Sequence, residues 1–399
     1  MEKHLTASAD RADYLVDLSN IVRDTALGGT AARSLRRLEL VVKALVTLTG
    51  DPGVTLYLVA DRSLLAGARE FGDPEDVRLL RHWVAEGLVE EVGDADERVL
   101  EIAGMTGTRV VTGDHYASYR DEHPWLQGNT WQFLKPERRH GRLPGPGVVV
   151  LVPLDMGHRS AVEISRRLEL DALKKQGLLD ARRTPLAEVV RRSWSCPERR
   201  CSLYDTRSGG RILLPRMRRG VPTCELHGTA LLEAGPRTGT AQLKAVLDGV
   251  CVARYTLDEG SLTVVGRSPG TDGIALHALL PAERAARVSR RHLGVSVRQG
   301  TVRVEDVSSY GTRVRRADRR GRLGLWQPLP PRTEQGFRPG DELELAPGVV
   351  LVRSGRLFPA ELSDVWRAAA GRTPPPTYAS GPTRVPGRGG GGGAARRAR

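Results

Sequence analysis

Three apolar segments in the first third of the chain are each followed within two residues by an aspartate. The segments are Tyr14–Val16, residues 54–60 and residues 109–112, and the aspartates are Asp17, Asp61 and Asp114. Short runs rich in β-branched and large apolar residues predict buried strands, and the helical spacings between them predict strand–helix alternation. That alternation is typical of an α/β fold with a doubly wound parallel sheet, which places its sites at the carboxyl ends of its strands.

A second group of acids, Asp94, Asp96 and Glu97, lies at the start of a predicted short amphipathic helix. We expect this helix to end at Gly104 and Gly107. Carboxylates gathered at one sheet edge repel each other unless a cation neutralises them, and Mg²⁺ and Mn²⁺ prefer oxygen ligands. The sequence therefore predicts a Mg or Mn site, with three groups of candidates. The metal ligands are Asp17, Asp96 and Asp114; Glu97 and Asn20 ligate or orient water; Asp94 is an alternative to Asp96, and Asp61 is either an extra acid or a helix cap.

Three short motifs that contain these acids follow one another along the chain: Val16–Asn20 (VDLSN), residues 95–97 (ADE) and Val111–Tyr116 (VTGDHY). Together they resemble the acid set of PIN-like nucleases, in particular the NYN and Regnase-type branch. The resemblance implies a PIN-like/NYN nuclease domain over residues 1–153 that hydrolyses RNA with Mg or Mn. The sequence departs from the family at Glu97, where Regnase-type proteins have Asp, and at Gly113, where many have Asn.

The net charge of +14 is unevenly distributed. Residues 1–134 carry 14 Lys and Arg against 22 Asp and Glu, whereas residues 135–220 carry 20 against 9. An acidic domain followed by a basic connector suits a metal-dependent nuclease with a separate phosphate-binding surface, but a solvated Arg-rich surface has the same charge. The connector, residues 154–193, has two helical patterns broken near Pro185. Its basic residues, which either follow a phosphate backbone or face water, are Arg166, Arg167, Lys174, Lys175, Arg182, Arg183, Arg191 and Arg192.

Three cysteines and a histidine follow the connector with metal-ligand spacing. They are Cys196, Cys201, Cys224 and His227. Three thiolates and one imidazole form a tetrahedral set that suits structural zinc, and the segment has little core of its own. The pattern resembles a zinc ribbon, so we expect a zinc-ribbon-like module over residues 194–235; free buried thiols with a surface histidine are the alternative. Cys251 is expected to be a buried small hydrophobe.

Six short alternating runs between residues 261 and 352, with turns between them, predict strands of an all-β sandwich from about residue 245 to 356. Its loops contain Gly266-Arg267, then Val288–His292 (VSRRH), then Asp306–Thr312 (DVSSYGT). These motifs resemble the forkhead-associated (FHA) domain, a phosphothreonine-binding sandwich. The resemblance implies phosphopeptide binding by Arg267, Ser289, Arg290, Tyr310 and Thr312, and structural roles for Gly266, His292 and Gly311.

Arginine suits that role because its planar fork of donors matches a doubly charged phosphate. Tyr310 stands where the family often has an Asn that contacts the peptide backbone. Retention of the scaffold without phosphopeptide binding is the alternative.

The last residues, 371–399, are rich in Pro, Gly and Arg and are expected to be disordered. The chain has neither a long apolar run nor a signal-peptide pattern, and few cysteines, so we expect a cytoplasmic protein with no membrane partner. The function predicted is a metal-dependent ribonuclease directed to RNA and brought to phosphothreonine-bearing proteins. The alternatives are a catalytically inactive phosphothreonine-binding adaptor and a DNA-acting nuclease.

Overall fold

The computed structural model describes residues 1–140, 147–204, 214–237, 239–270 and 273–359. The sequence predicts a turn-rich break at residues 141–146 (GRLPGP) and a short helix around Trp366; both of these, and the tail from residue 371, lie outside the described residues. No helix in the described part of the chain is both long and apolar enough to cross a membrane.

The first domain is an α/β fold around a six-stranded sheet. Its strands are β1 (Tyr14–Asp17), β2 (Leu56–Asp61), β3 (Val89–Val92), β4 (Arg109–Val111), β5 (Phe133–Arg139) and β6 (Val148–Pro153). Its helices are α1 (Leu18–Arg23), α2 (Arg36–Thr49), α3 (Ser63–Ala66), α4 (Pro74–Ala85) and α5 (Ala95–Thr106). The strand order is β3-β2-β1-β4-β5-β6, and only the edge strand β6 is antiparallel to its neighbour. The predicted parallel sheet is thereby confirmed for β1–β5.

Apolar side chains pack on both faces of this sheet, as expected for parallel strands covered by helices. Leu15 and Val16 are both fully buried, and they belong to two different core clusters on opposite faces of β1. Burial on both faces explains why β1 reads as a continuous apolar run that ends in a carboxylate. The sheet therefore places the ends of β1, β2 and β4 along one edge.

Two sequence predictions in this domain need correction. The helix that follows the acids ends only at Gly107, in the left-handed conformation with φ of 71°, whereas Gly104 lies inside α5. A Cβ at Gly104 would lie 3.2 Å from the indole nitrogen of Trp125, so close packing explains that glycine. The run Trp131–Leu134 (WQFL) predicts a further strand, but the strand begins only at Phe133; Phe133 is buried, whereas Trp131 is 60% exposed and belongs to the preceding loop.

The connector forms one long helix, α6 (Ala161–Lys175), and a single helical turn, α7 (Ala187–Val190). Ser160 caps α6 reciprocally with Glu163, which fixes where the helix begins. The small module that follows contains β7 (Arg192–Ser195), β8 (Arg216–Arg218), β9 (Val221–Thr223) and β10 (Leu232–Pro236). They form two antiparallel pairs, β7 with β10 and β8 with β9.

The last domain is a β-sandwich of two sheets. Its elements are β11 (Thr240–Leu247), β12 (Val250–Asp258), β13 (Leu262–Gly266), β14 (Ile274–Ala275), α8 (Ala282–Arg287), β15 (Leu293–Arg298), β16 (Thr301–Asp306), β17 (Arg313–Arg315), β18 (Gln327–Pro328), β19 (Gln335–Gly336), β20 (Glu342–Ala346) and β21 (Val349–Arg353). One sheet has the order β12-β11-β21-β20-β17-β18 and the other β14-β13-β15-β16-β19. The six strands predicted between residues 261 and 352 are confirmed. Strand β11 of the sandwich begins before the predicted start at residue 245: it pairs with β12 from Thr240 and with β21 from Leu243.

The sandwich contacts the first domain through a buried ion pair. Lys244 of β11, only 3% exposed, donates to the Asp121 carboxylate at 2.9 Å, and Arg254 of β12 contacts Asp121 at 3.1 Å and Glu122 at 2.8 Å. The backbone N–H of Cys251 also donates to the Asp121 carbonyl at 2.8 Å. The loop that follows β4 is therefore held by the sandwich, and Cys251 is buried in that contact as predicted.

Candidate functional sites

Asp17 lies at the carboxyl end of β1 and is only 2% exposed. One carboxylate oxygen accepts the backbone N–H of Asn20 at 3.0 Å, and the other accepts the Thr112 hydroxyl at 3.2 Å. These bonds orient the side chain, but they do not cancel the loss of hydration. Burial, to which the neighbouring charge of Asp114 adds, raises the pKa of Asp17 to about 6.

Asp96 lies in the first turn of α5 and reaches the same edge. Burial, together with the negative charges of Asp17, Asp114, Asp94 and Asp61, raises the pKa of Asp96 to about 7. Carboxylates that repel each other in this way are stabilised by a bound cation, and they supply the hard oxygen ligands that Mg²⁺ and Mn²⁺ take. The side chains present therefore fit a divalent metal.

Asp61 and Asp114 complete the acidic edge. Asp61 ends β2 and accepts the backbone N–H of Ser63 at 2.8 Å, while Asp114 accepts the backbone N–H of Tyr116 at 2.8 Å. A cleft of about 500 Å³, which we call the acidic cleft, opens above these residues. It is lined by Asp17, Ser19, Asn20, Arg23, Asp24, Asp61, Ala95, Asp96, Gly113, Asp114 and Lys135.

Three of the predicted residues take positions that differ from the expected ones. Glu97 lies outside the lining of the acidic cleft, and its carboxylate faces the His123 ring at 3.4 Å. Asp94 is the N-cap of α5, accepts the Glu97 backbone N–H at 3.2 Å and accepts the Tyr119 hydroxyl at 2.8 Å. Asn20 lines the cleft, but its side-chain oxygen accepts the Gly113 backbone N–H at 2.8 Å, so it joins the ends of β1 and β4.

Four residues of the cleft were missed by the sequence argument: Ser19, Arg23, Asp24 and Lys135. Arg23 follows Asn20 by three residues on α1, a spacing that places both on one helix face and could have indicated it. No sequence pattern indicates a role for Ser19. Its hydroxyl accepts the Asp61 backbone N–H at 2.9 Å and so connects α1 to the end of β2. Lys135 comes from β5, and no local pattern links it to the acids.

The cysteine cluster is more compact. The ligand atoms of Cys196, Cys201, Cys224 and His227 all lie within 4.8 Å of one another, and within the described residues no group of three or more acids is gathered in this way. The Sγ atoms of Cys201 and Cys224 are 3.8 Å apart, and His227 Nδ1 is 3.5 Å from the Sγ atoms of both Cys196 and Cys224.

These distances are those of a tetrahedral zinc site. With Zn–S bonds of about 2.3 Å and Zn–N bonds of about 2.0 Å, the edges of a tetrahedron are about 3.8 Å between sulfurs and about 3.5 Å between sulfur and nitrogen. Cys196 directly follows β7 and Cys224 directly follows β9, so both strand pairs of the module are joined at the cluster. The four side chains could thus hold a metal such as zinc, with all four positions filled by protein.

In the sandwich, the loop at Ser289-Arg290 lies directly against the end of β13. A Cβ at Gly266 would come within 2.3 Å of the Arg290 carbonyl oxygen, so only glycine fits there. The backbone N–H of Arg267 donates to the Ser289 carbonyl at 3.0 Å, and that of Ser268 donates to the Arg290 carbonyl at 3.2 Å. The chain thereby holds Arg267 and Arg290 on adjacent backbone segments at one end of the sandwich.

His292 holds the neighbouring loops together. Its Nδ1 accepts the Ser289 backbone N–H at 3.1 Å, so Nε2 carries the proton and donates to the Thr312 hydroxyl at 3.2 Å. Burial lowers the pKa of His292, which keeps the ring neutral for this arrangement. Thr312 is 3% exposed, so its hydroxyl serves this scaffold, which differs from the ligand contact predicted for it.

The loop that contains Tyr310 and Gly311 is supported by Ser289. The Ser289 hydroxyl accepts the Ser309 backbone N–H at 3.0 Å and keeps its own proton for a further acceptor. Gly311 has a φ of 79°, which the turn requires, and Tyr310 beside it is 68% exposed. Arg290 is exposed and Arg267 half-buried at this end of the domain.

No family model and no curated protein matches the chain. Several solved structures are similar to parts of it. The FHA domain of CT664 protein from Chlamydia trachomatis is 19% identical, covers 29% of this chain and 96% of that chain, and has a TM-score of 0.21. The FHA domain of human APLF in complex with an XRCC1 bisphospho peptide is 23% identical, covers 29% and 97%, and has a TM-score of 0.21. Arabidopsis thaliana nuclear protein-only RNase P 2 is 20% identical, covers 38% and 31%, and has a TM-score of 0.26.

Proposed function

We propose that the protein is a divalent-metal-dependent endoribonuclease whose sandwich binds phosphothreonine-bearing proteins. The main support for nuclease activity is the acidic cleft, where side chains from β1, β2, α5 and the loop after β4 converge at one sheet edge. The raised pKa values of Asp17 and Asp96 support a bound cation there, because burial and, to a lesser degree, the neighbouring carboxylates disfavour the charged forms, and a cation would stabilise them.

Each residue of the cleft has a defined part in this function. Asp17, Asp96 and Asp114 would hold Mg²⁺ or Mn²⁺, with Asp61 at the margin of the cleft. A bound metal supplies a water of lowered pKa and shields the charge of the phosphodiester. Lys135 and Arg23 also line the acidic cleft and contribute positive charge that would attract a substrate phosphate. Asn20 keeps the two strand ends in register through its bond to Gly113.

RNA is the proposed substrate on the basis of the PIN-like motifs and the basic connector, with DNA as the alternative polymer. A second candidate function is a catalytically inactive adaptor. The wider spacing of the acids favours it, since their oxygens do not form a set within 4.8 Å as the cysteine cluster does. Mg²⁺ commonly retains several waters and binds one or two carboxylates directly, so an open set also suits a catalytic metal.

The sandwich is proposed to be an FHA domain. Its support is the arrangement of Arg267 and Arg290 on touching backbone segments, with the Ser289 proton beside them. Guanidinium groups form charge-assisted hydrogen bonds with phosphate oxygens. The Cys–His module is proposed to be a structural zinc ribbon between the two functional domains.

The nuclease is tested by cleavage of labelled single-stranded RNA with Mn²⁺ or Mg²⁺, beside DNA of the same sequence. The Asp17→Asn/Asp114→Asn variant should lose cleavage by at least about 100-fold, because the metal loses two anionic ligands. Asp51→Asn, an exposed acid outside the cleft, should cleave as the parent does. Cleavage by neither protein on either polymer would favour the adaptor, and equal cleavage by the parent and the double variant would refute the assigned acids.

The FHA assignment is tested with a phosphothreonine peptide library and its unphosphorylated counterpart. Arg267→Ala/Arg290→Ala should weaken retention of the phosphorylated library by about tenfold or more, since a hydrogen bond to a charged group contributes about 1.5–3 kcal/mol. Arg291→Ala removes an exposed arginine of the same loop and serves as the matched control. Equal retention of both libraries by the parent protein would refute phosphothreonine recognition.

A further inference from the structure

A second and larger depression, of about 790 Å³, begins at the acidic cleft. The two cavities share Asp96 and Asp114, so the acids lie where one opens into the other. We call the larger one the α6 groove, because helix α6 of the connector forms its opposite wall. It is lined by Asp94, Asp96, Glu97, Asp114, Tyr116, Ala117, Ser118, Tyr119, Glu122, Arg167, Leu168, Asp171, Ala172, Lys174, Lys175 and Arg356.

We propose that the α6 groove binds the backbone of a single-stranded nucleic acid and leads it into the acidic cleft, with Arg167, Lys174 and Lys175 contacting its phosphates. This inference rests on the proposed nuclease function and adds the path of the substrate. It also selects three of the eight basic residues of the connector, because the others are not part of the groove wall.

The geometry of α6 supports a repeating anionic ligand. The groove-lining positions 167, 171 and 175 are four residues apart and therefore lie on one face of the helix. From Arg167 to Lys174 the helix rises about 10 Å, so the cations are spread along the wall and do not converge on one point. A spread of this kind suits successive phosphates of a polymer better than a single phosphate group.

The local charges also permit a ligand to enter. Arg167 contacts Asp171 at 3.4 Å, an exposed pair one helical turn apart that contributes little and that a phosphate can displace. Lys174 and Lys175 are exposed at the end of α6. The opposite wall is acidic, so a phosphate backbone would be attracted along the helix and would meet the acids only where a divalent cation can bridge them.

The floor of the groove is held in place by contacts within the first domain and with the sandwich. The Tyr119 hydroxyl donates to Asp94 at 2.8 Å, and Glu122 contacts Arg254 of the sandwich at 2.8 Å. Arg356, which follows the last strand of the sandwich and is 7% exposed, closes one side. The path therefore depends on how the connector and the sandwich pack on the first domain.

The test is fluorescence anisotropy of labelled single-stranded RNA, and of DNA with the same sequence, in a chelator-free buffer to which no Mg²⁺ or Mn²⁺ is added, so that no metal-dependent cleavage occurs and the Cys–His module keeps its metal. Arg167→Ala/Lys174→Ala/Lys175→Ala should weaken binding by about tenfold or more and reduce the slope of log K against log salt by about 2, at about 0.7 per lost phosphate contact. Arg166→Ala/Arg182→Ala/Arg191→Ala removes the same charge from exposed connector positions outside the groove and should bind like the parent. Circular dichroism and thermal unfolding establish that both variants fold.

Three outcomes would overturn the groove. If both triple variants lose affinity equally, the RNA is attracted to the basic connector in general and not to the groove. If the parent protein binds neither RNA nor DNA, the groove does not bind a nucleic acid. If an acidic peptide competes better than RNA, the groove binds a protein ligand. The nuclease proposal is judged separately. Groove-dependent binding without cleavage would retain the groove and refute catalysis, whereas cleavage with an unchanged KM in the groove variant would retain catalysis and refute the path.

Discussion

The cysteine cluster and the acidic cleft are both sets of metal-ligand side chains, but the fold gathers them differently. The three thiols and the imidazole lie within 4.8 Å of one another and use every tetrahedral position. The carboxylates instead line an open cleft of about 500 Å³ whose walls also contain Lys135 and Arg23. A closed set leaves no position for a substrate, whereas an open set leaves room for water and a phosphate. The first arrangement therefore suits a structural metal and the second a catalytic one.

The largest effect is expected on removing the closed site. Cys224→Ser should release one zinc per chain and unfold the module between residues 194 and 235, because zinc binding to such modules contributes about 10 kcal/mol or more of folding free energy. Metal content by plasma mass spectrometry and the rate of proteolysis in that segment measure both effects. Cys251→Ser, a buried cysteine outside the cluster, is the control and should retain the zinc. A Cys224→Ser protein with full zinc content would contradict the assignment of the cysteine cluster as a closed metal site.

An intermediate effect is expected from the pH dependence of the open site. Asp17 and Asp96 have pKa values of about 6 and about 7, above the ordinary value of 3.8. Raised acid pKa values mean that the folded protein binds protons more tightly than the unfolded one, so the stability they provide is present below pH 4 and is lost as the pH rises to about 7. The metal-free protein should therefore melt at a lower temperature at pH 8 than at pH 5, and Mg²⁺ should restore most stability at pH 8.

Asp96→Asn isolates this contribution from other titrating groups. It should stabilise the metal-free protein at pH 8 by roughly 2 kcal/mol, since each unit of pKa shift corresponds to about 1.4 kcal/mol and solvent screens a half-buried carboxylate. It should also reduce the gain in melting temperature on adding Mg²⁺. If Asp96→Asn and the parent have the same melting temperature at both pH values, with and without Mg²⁺, Asp96 does not take part in cation binding.

The sequence was sufficient for the elements whose signal is local. The apolar runs before Asp17, Asp61 and Asp114 predicted the strands that bring these residues to one edge. It was insufficient where tertiary packing decides. Strand β11 was missed because Gln242 and Lys244 interrupt its apolar pattern, yet both are buried, and Lys244 pairs with Asp121 of another domain.

Neighbouring residues on a helix also separate in ways that sequence does not reveal. Consecutive side chains point about 100° apart, so one of a pair can face a cavity while the other faces away. Asp96 lines the acidic cleft and Glu97 does not, and Arg167 lines the α6 groove while Arg166 does not. Only the packing of each helix against its neighbours in the fold decides which member of the pair enters the site.

The smallest effect is therefore expected at Glu97, and it sharpens the comparison most. Glu97→Gln should change metal-dependent cleavage by less than about twofold, because Glu97 does not line the acidic cleft and its partly exposed carboxylate loses a 3.4 Å contact with the His123 ring, which contributes little. Asp96→Asn, its neighbour on the same helical turn, should lower cleavage by at least about 100-fold if it holds the metal. Both are measured as cleavage rates against Mn²⁺ concentration. A loss at Glu97 as large as that at Asp96 would mean that the metal lies over the α6 groove, and the open site would have to be moved there.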